Sequence, residues 1–118
     1  MHQEIYQRIK AIAIDGSVST YSEISLLANL DMSRQTDRTK IGEMLGEIST
    51  YEHQHGRPML SVVVIHRDNN MPGEGFFKLA RYLGVYRGND DFLFFINELR
   101  KVHDYWQETN SEEALPPN

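Results

Sequence analysis

Hydrophobic residues recur at helical spacing in three segments of the first half of the chain, and each segment predicts one amphipathic helix. The three helices are expected over residues 2–14, 21–29 and 37–54. Their apolar stripes are formed by Ile5, Ile9 and Ile12 in the first helix, by Ile24, Leu27 and Ala28 in the second, and by Ile41, Met44, Leu45, Ile48 and Tyr51 in the third.

Residues with known capping preferences mark where these helices begin and end. Gly16 follows the first helix and predicts its end. Thr20 stands three residues before Glu23, which is the spacing of a capping box, where hydroxyl and carboxylate each satisfy a free backbone N–H. Either Ser33 or Thr36 is expected to cap the third helix.

The second half of the chain changes to the residue types of strands and turns. The run "MLSVVVI", residues 59–65, is β-branched and predicts a strand. The run "RDNNMPGEG", residues 67–75, supplies Asn, Pro and Gly for a hairpin tip or an extended loop. The run "GFFKLARYLG", residues 75–84, fits a return strand that passes into a short helix. Together the three runs predict a β-hairpin.

A last helix is predicted over residues 89–106, with Asn89 or Asp90 as its N-cap. We interpret its aromatic face mainly as core, and the alternative is a homodimer or protein-partner interface. The residues after it, 108–118, are polar and are expected to form a flexible acidic tail. The apolar face of the helix consists of Phe92, Phe95, Ile96, Leu99, Val102 and Trp106.

The order of the predicted elements is three helices, a hairpin and further helices. This order is found in winged helix-turn-helix domains, where the third helix enters a DNA groove and the hairpin touches the flanking backbone. The expected fold class is α+β, a winged helix-turn-helix with a short β-hairpin wing and added C-terminal helices. We expect one such domain over residues 1–107.

Composition and charge narrow the class of protein. A chain of 118 residues without cysteine predicts one domain and excludes disulfides, thiol nucleophiles and cysteine zinc sites. No apolar run has membrane-spanning length and no secretion leader is seen, so a cytoplasmic location is expected. The net charge of −5 argues against strong non-specific DNA binding. Residues 1–81 hold nine Lys/Arg and ten Asp/Glu, which still allows a locally basic face.

The segment "GSVSTYSEIS", residues 16–25, resembles the Gly-x-Val-x-Thr-Tyr-x-x-Ile-Ala segment of the alkylguanine-DNA alkyltransferases and the alkyltransferase-like proteins. In that family the segment opens a helix-turn-helix that binds the DNA minor groove. "RTKIGEMLG", residues 38–46, is similar to the family's recognition helix, Ala-Arg-Ala-Val-Gly-x-Ala-Leu, and "PMLSVV", residues 58–63, lies where the family has Pro-Cys-His-Arg-Val-Val. The resemblance covers residues 5 to 65 and implies a DNA-binding helix-turn-helix, with Thr20 and Tyr21 near a phosphate.

The chain departs from the family at the residues that carry out the family's alkyl transfer and base flipping. Under this resemblance Met59 takes the position of the alkyl-accepting cysteine, Leu60 that of the activating histidine and Ser61 that of the arginine. Alkyl transfer needs a thiolate and a base, so we expect no alkyl transfer. The Pro-Trp-His-Arg of the non-catalytic relatives is also missing, and the intercalating arginine falls on Thr39, so we do not expect base flipping.

Polar and basic residues at the turn before the third helix and in the predicted wing are the candidate DNA contacts. Arginine and glutamine can read base edges, while lysine and threonine suit phosphates. The alternative is an ordinary solvated helix N-terminus, which Asp37 complements. The candidate DNA-binding residues are Thr20, Tyr21, Arg34, Gln35, Arg38, Thr39, Lys40, His66, Arg67 and Asn69.

No other group of residues predicts chemistry as well. His53 and His55 stand two apart on a helix and point in different directions, so a metal site completed by His66 is not expected. The carboxylates have no nuclease spacing, and the glycines of "PGEG" lack the context of a phosphate loop. A hydrolase that uses His66 is the remotest alternative. We therefore predict no catalytic residue, no metal and no cofactor.

The sequence thus favours a non-enzymatic winged-helix protein that binds double-stranded DNA. Residues 56–77 also resemble small bacterial and phage proteins, so a small bacterial or phage regulator is the expected setting. The alternative is a winged-helix module that binds protein, as an adaptor or inhibitor. Its basis is the negative charge and the aromatic C-terminal helix, and neither function involves a membrane.

Overall fold

The protein is described by a computed structural model for the backbone of residues 1–114 and the side chains of residues 1–111. This part of the chain is mixed helix and strand and mostly helical. Two 3-10 turns lie at Leu26–Ala28 and Leu60–Val63. The elements in chain order are α1 (Gln3–Asp15), β1 (Ser19–Thr20), α2 (Tyr21–Ser25), α3 (Gln35–Gln54), β2 (Val64–Ile65), α4 (Glu74–Tyr82) and α5 (Asp91–Ala114).

The first two predicted helices are confirmed. Helix α1 ends at Gly16, whose φ of 76° is the left-handed conformation that glycine adopts without steric cost. Helix α2 continues as a 3-10 turn to Ala28, so its helical character extends almost as far as predicted. The Thr20 Oγ1 accepts the Glu23 N–H at 3.2 Å, while the Glu23 carboxylate accepts the Ser19 hydroxyl at 2.8 Å. The threonine half of the predicted capping box is therefore formed.

Helix α3 is confirmed, but its start differs from the prediction. It begins at Gln35 after Arg34, and within the described residues neither Ser33 nor Thr36 provides its cap. The Ser33 hydroxyl instead donates to the Asp31 carboxylate at 2.7 Å. The Asp37 carboxylate accepts the Asp31 N–H at 2.8 Å and closes the preceding turn.

The buried stripe of α3 drifts away from the predicted one at the end of the helix. Ile41, Leu45 and Ile48 are buried as expected, whereas Tyr51 is 36% exposed. The buried residue of the last turn is Glu52, which is 0% exposed because its charge is paired. A hydrophobicity pattern does not place a charged residue in a core, and this is why the prediction was wrong here.

The predicted β-hairpin is wrong. The only sheet in residues 1–114 is a parallel pair, in which Ser19 lies opposite Val64 and Thr20 opposite Ile65. The first four residues after Met59 form a 3-10 turn because residues 59–65 are buried and packed by α1, α3 and α5. A run of Leu and Val fits such a site as well as it fits a strand.

The predicted return strand is also wrong, because residues 74–82 form helix α4. Phe76 and Ala80, four residues apart, are the buried positions of this helix. The segment in the place of a wing is residues 66–73, which we call the 66–73 loop. Backbone hydrogen bonds from the His66 N–H to the Met71 oxygen and from the Asn70 N–H to the His66 oxygen, each 2.9 Å, close this loop on itself.

The predicted C-terminal helix is confirmed as α5, and the Asp90 carboxylate caps it by accepting the Leu93 N–H at 3.0 Å. Phe95, Val102 and Trp106 are buried, but Phe92 is 63% exposed because it lies in the first turn, outside the core. The helix runs to Ala114, so residues 108–114 of the predicted flexible tail are helical. The remaining tail, residues 115–118, lies outside the described residues.

The core lies where α1, α3 and α5 surround the 3-10 turn at Leu60–Val63. The Glu98 carboxylate on α5 is buried and accepts the Met59 N–H at 2.9 Å, which fixes the start of this turn. The fully buried apolar side chains include Ile5, Ile9, Ile24, Ile41, Ile48, Met59, Leu60, Val62, Val63, Val64 and Val102. None of the helices within residues 1–114 combines the length and the hydrophobicity that crossing a membrane requires.

Candidate nucleic-acid interface

A cleft of about 510 Å³ opens between the first half of α3, the start of α4, the start of α2 and the 66–73 loop. Sizeable concave sites with a few convergent polar groups are the usual location of binding sites. Five of the ten predicted DNA contacts line it, and they come from three separate segments of the chain. These five are Tyr21, Gln35, Arg38, Thr39 and His66.

Helix α3 forms one wall of the cleft, and two glycines leave part of that wall without side chains. A Cβ atom built on Gly42 would have no neighbour within 4 Å, and one on Gly46 would lie at an ordinary 3.7 Å from the Leu79 Cδ2. Neither packing nor backbone strain therefore requires glycine at these positions. Glycine inside a helix costs about 0.5–1 kcal/mol relative to alanine, so this open part of the wall is maintained against helix stability.

One wall of the cleft carries a small hydrogen-bond network on α3. The Arg38 guanidinium donates to the Met32 carbonyl oxygen and to the Gln35 Oε1, each at 2.8 Å. The Gln35 Nε2 donates in turn to the Thr39 Oγ1 at 3.4 Å, which is a weak contact. Arg38 keeps N–H groups without a partner among the described residues, so a fixed cation with free donors lies at the edge of the cleft.

The opposite wall is formed by Tyr21 and His66. Their rings stack with centroids 4.3 Å apart and an interplanar angle of 25°. The Tyr21 hydroxyl oxygen accepts the Gly73 N–H at 2.8 Å. Burial raises the pKa of Tyr21 above its ordinary value, so the hydroxyl stays protonated at neutral pH and can still donate.

The base of the cleft contains Ser61, the residue that the resemblance aligns with the family's arginine. Its hydroxyl shares a 2.6 Å hydrogen bond with the Ser49 hydroxyl. Met59, at the position of the alkyl-accepting cysteine, is 1% exposed and belongs to the core, and Leu60 is fully buried. These positions offer neither a nucleophile nor a base to a bound molecule.

Of the three cations predicted as DNA contacts at the start of α3, Arg38 lines the cleft, while Arg34 and Lys40 do not. Lys40 follows Arg38 by two residues and therefore points about 200° away around the helix. Arg34 precedes the first turn of α3 as its N-cap and is exposed. Arg38 and Lys40 thus lie on different faces of the helix.

Three further predicted contacts, which do not line the cleft, already have partners within the protein. The Thr20 hydroxyl caps α2. In the 66–73 loop, Arg67 lies 3.8 Å from the exposed Glu23 carboxylate, and the Asn69 side chain accepts the Met71 N–H at 3.0 Å. Arg67 and Asn69 are both exposed.

The electrostatic character of the cleft is mixed. Glu43 lines it together with Arg38, and Asp31 and Asp37 lie in the turn just before or within the start of α3. Hydrogen bonds from the Ser33 hydroxyl and backbone N–H hold the pKa of Asp31 below its ordinary value. The site therefore carries both signs of charge and is not a strongly basic stripe.

Several lining residues were missed by the sequence reasoning. The apolar side of the cleft is formed by Met32, Leu45, Phe76 and Leu79. The sequence pattern predicts a strand for part of the segment that holds Phe76 and Leu79, and this prediction does not place the segment beside α3. Gly42 did carry a detectable signal, because a glycine inside a predicted helix calls for a packing or functional reason.

Other kinds of site find no support in the described part of the chain. There, no three side chains of His, Cys, Asp or Glu cluster as metal ligands would. His55 is engaged through its Nδ1, 2.8 Å from the Tyr51 carbonyl oxygen. Comparison of the chain with protein-family models, with curated proteins and with solved structures gives no match. The resemblance to alkyltransferases therefore stays an expectation.

Proposed function

We propose that the protein binds duplex DNA through the cleft surface, defined as the residues Tyr21, Gln35, Arg38, Thr39 and His66. In this proposal α2 and α3 act as a helix-turn-helix, and the 66–73 loop takes the place of the wing. The observation that carries the proposal is the convergence of these five residues on one cleft.

The side chains on the α3 wall have the chemistry that DNA contacts use. Arg38 presents a planar guanidinium whose free N–H groups suit a phosphate or a guanine edge. Gln35 and Thr39, one turn along the same face, add neutral donors and acceptors. All three are exposed, so a duplex can reach them without unfolding the helix.

Binding without chemistry fits the groups at the base of the cleft. Met59 and Leu60 are core residues, and the Ser61 hydroxyl is paired with Ser49. A serine nucleophile needs an adjacent base, and here its partner is another hydroxyl. We therefore infer a binding protein and no enzyme.

The mixed charge of the cleft surface predicts modest affinity and a shallow salt dependence. The logarithm of the association constant falls with the logarithm of salt concentration in proportion to the number of phosphates that cations neutralise. With Arg38 lining the cleft and Arg34 and Arg67 exposed in the neighbouring segments, we expect a slope of about −1 to −3. A strongly basic DNA-binding domain would give a steeper slope.

The test is fluorescence anisotropy of a labelled duplex at low salt, repeated over a salt series. Arg38→Ala should weaken binding about tenfold and make the slope shallower by about one. The matched control is Arg100→Ala on α5, which removes the same charge from an exposed position outside the cleft. Lys40→Ala should have a smaller effect than Arg38→Ala because Lys40 does not line the cleft.

A protein-binding function is the second candidate, and exposed apolar residues favour it. Tyr82 is 85% exposed and Phe92 is 63% exposed, near the end of α4 and the start of α5. The apolar side of the cleft adds Leu45, Phe76 and Leu79. If no duplex binds at low salt, this function becomes the better explanation. Sedimentation of the wild type and of Phe92→Ser would then test whether the partner is a second copy.

A further inference from the structure

We propose that Tyr21 is a positioning residue that fixes the 66–73 loop as the second wall of the cleft. Through Tyr21, the loop is coupled to the DNA that the cleft binds. The inference rests on the proposed function for the identity of the ligand, but the positioning itself concerns the free protein. It adds a positioning role to the phosphate contact expected of Tyr21.

Tyr21 holds both ends of the loop with a single side chain. Its ring stacks on His66, the first residue of the loop, at 4.3 Å between centroids. Its hydroxyl oxygen accepts the N–H of Gly73, the last residue of the loop, at 2.8 Å. Because the two backbone hydrogen bonds at His66 already close the loop on itself, fixing its ends fixes the whole segment.

The absence of a side chain at Gly73 is part of this arrangement. A Cβ atom at Gly73 would lie 3.1 Å from the His66 Nε2 and 3.3 Å from the Tyr21 hydroxyl oxygen. The φ of Gly73 is −72°, so backbone strain does not require glycine there. The tight space comes from the close approach of Tyr21 and His66, which would have to shift by a few tenths of an ångström to admit a Cβ atom.

The same loop end carries helix α4, so the effect of Tyr21 extends along the cleft. Gly73 is the N-cap of α4, and Phe76 in the first turn of that helix lines the cleft. Tyr21 itself begins α2 directly after strand β1. One side chain therefore joins the starts of two helices that border the proposed DNA surface.

The Tyr21 hydroxyl can respond to a bound molecule. The hydroxyl oxygen accepts the Gly73 N–H, and within the described residues the hydroxyl hydrogen has no acceptor. A phosphate or base edge in the cleft that accepts this hydrogen would strengthen the bond to Gly73, because hydrogen bonds in a chain polarise one another. Binding should therefore tighten the loop.

The experiment compares Tyr21→Phe, Gly73→Ala and the double variant by two measurements. Amide hydrogen exchange of residues 66–73 is measured in the free protein, and duplex affinity is measured by anisotropy. Tyr21→Phe keeps the ring but removes the acceptor, so exchange of the Gly73 amide should become faster and duplex affinity should fall about fivefold. Gly73→Ala should weaken affinity to a similar extent by displacing the loop.

The double variant tests whether Tyr21 acts in part through Gly73. If it does, the loss of affinity in the double variant should be clearly smaller than the sum of the two single losses, because both single changes disturb the same hydrogen bond. Fully additive losses would show that Tyr21 and Gly73 act independently of each other and would overturn the proposal. Unchanged exchange at Gly73 in Tyr21→Phe would overturn it as well.

Failure of the proposed function can be recognised separately. If the wild type binds no duplex, the DNA-binding proposal is wrong, while amide exchange still decides whether Tyr21 positions the loop. Tyr105→Phe is the matched control, because Tyr105 lies on α5, does not line the cleft and has no side-chain hydrogen bond in the described structure. Thermal unfolding of each variant verifies that the fold is retained.

Discussion

Helix α3 carries a polar cluster at each end, and the two clusters differ in how far their hydrogen-bonding groups are already used. At the C-terminal end, Glu52 is 0% exposed, accepts the Tyr6 hydroxyl at 3.0 Å and forms an ion pair with Arg57. At the N-terminal end, Arg38 and its neighbours are exposed and keep free donors. The polar groups at the C-terminal end of the helix are paired within the fold, and those at the N-terminal end remain available for binding.

The packing around the two clusters explains this difference. Arg57 lies over the Tyr51 ring at 5.6 Å and over the Trp106 ring at 6.0 Å, so the buried ion pair is enclosed by aromatic residues from α3 and α5. At the opposite end of α3, Arg38 is exposed, and a Cβ atom built on Gly42, which lines the cleft, would have no neighbour within 4 Å. Both clusters consist of polar and charged residues. The residues packed around each cluster decide whether it stabilises the fold or stays exposed for binding.

The largest predicted effect is the loss of the buried carboxylate. Glu52→Ala should lower the free energy of unfolding by about 3 kcal/mol or more, because it leaves Arg57 and the Tyr6 hydroxyl without their partner. Denaturant titration measures the loss. Glu47→Ala is the control, since the Glu47 side chain is largely exposed and pairs only with the N-terminus, and its effect should stay below about 0.5 kcal/mol. Equal losses in the two variants would contradict the structural role of Glu52.

The next effect is a pH dependence at the same end of α3. Burial, followed by the hydrogen bond to Glu52, raises the pKa of Tyr6 from 10.0 to about 12. The folded state therefore holds this proton more tightly than the unfolded state, so the stability is complete below pH 10 and falls as pH rises toward 12. The loss attributable to Tyr6 should be of the order of 2 kcal/mol.

Comparison with Tyr6→Phe isolates this contribution. The variant cannot ionise at this position, so its alkaline loss of stability should be smaller than that of the wild type. Denaturant titrations at pH values on both sides of 10 provide the measurement. If the two proteins lose stability in parallel, Tyr6 is not the responsible group.

The helices α1, α3 and α5 were predictable because local spacing such as that of Ile5 and Ile9 encodes them, whereas the start of α3 and the end of α5 were not. The segment at Leu60–Val63 was not, because residues buried on all sides carry no periodicity that separates a 3-10 turn from a strand. The different directions of Arg38 and Lys40 were already implied by their spacing of two residues.

The candidate site was predictable in its residue types and unpredictable in its assembly. Tyr21 and Gly73 are 52 residues apart, and nothing in the local sequence of either announces their hydrogen bond. The pairing of Glu52 with Tyr6, 46 residues away, is hidden in the same way. Such contacts arise when whole helices and loops pack together. The hydrophobicity pattern of one segment contains no information about that packing.

The smallest predicted effect is a change in the free energy of unfolding at Gly42. It is compared with the effect at Gly56, which lies just beyond the C-terminal end of the same helix. A Cβ atom at Gly42 meets nothing within 4 Å, so Gly42→Ala should raise the free energy of unfolding by about 0.5–1 kcal/mol. Gly56, just beyond α3, has a φ of 73°, so Gly56→Ala should be destabilising although it too has open space around it.

The same position then separates stability from binding. Gly42→Leu should keep most of the helix gain, because leucine is also a good helix former, while its side chain enters the cleft. We expect duplex affinity to fall at least tenfold in Gly42→Leu, since blocking the cleft removes access to Arg38 and Tyr21, and to change little in Gly42→Ala. Thermal unfolding and anisotropy on the two variants give both quantities. Undiminished binding by a stable Gly42→Leu protein would mean that the cleft is not the binding site, and the open end of α3 would then need another explanation.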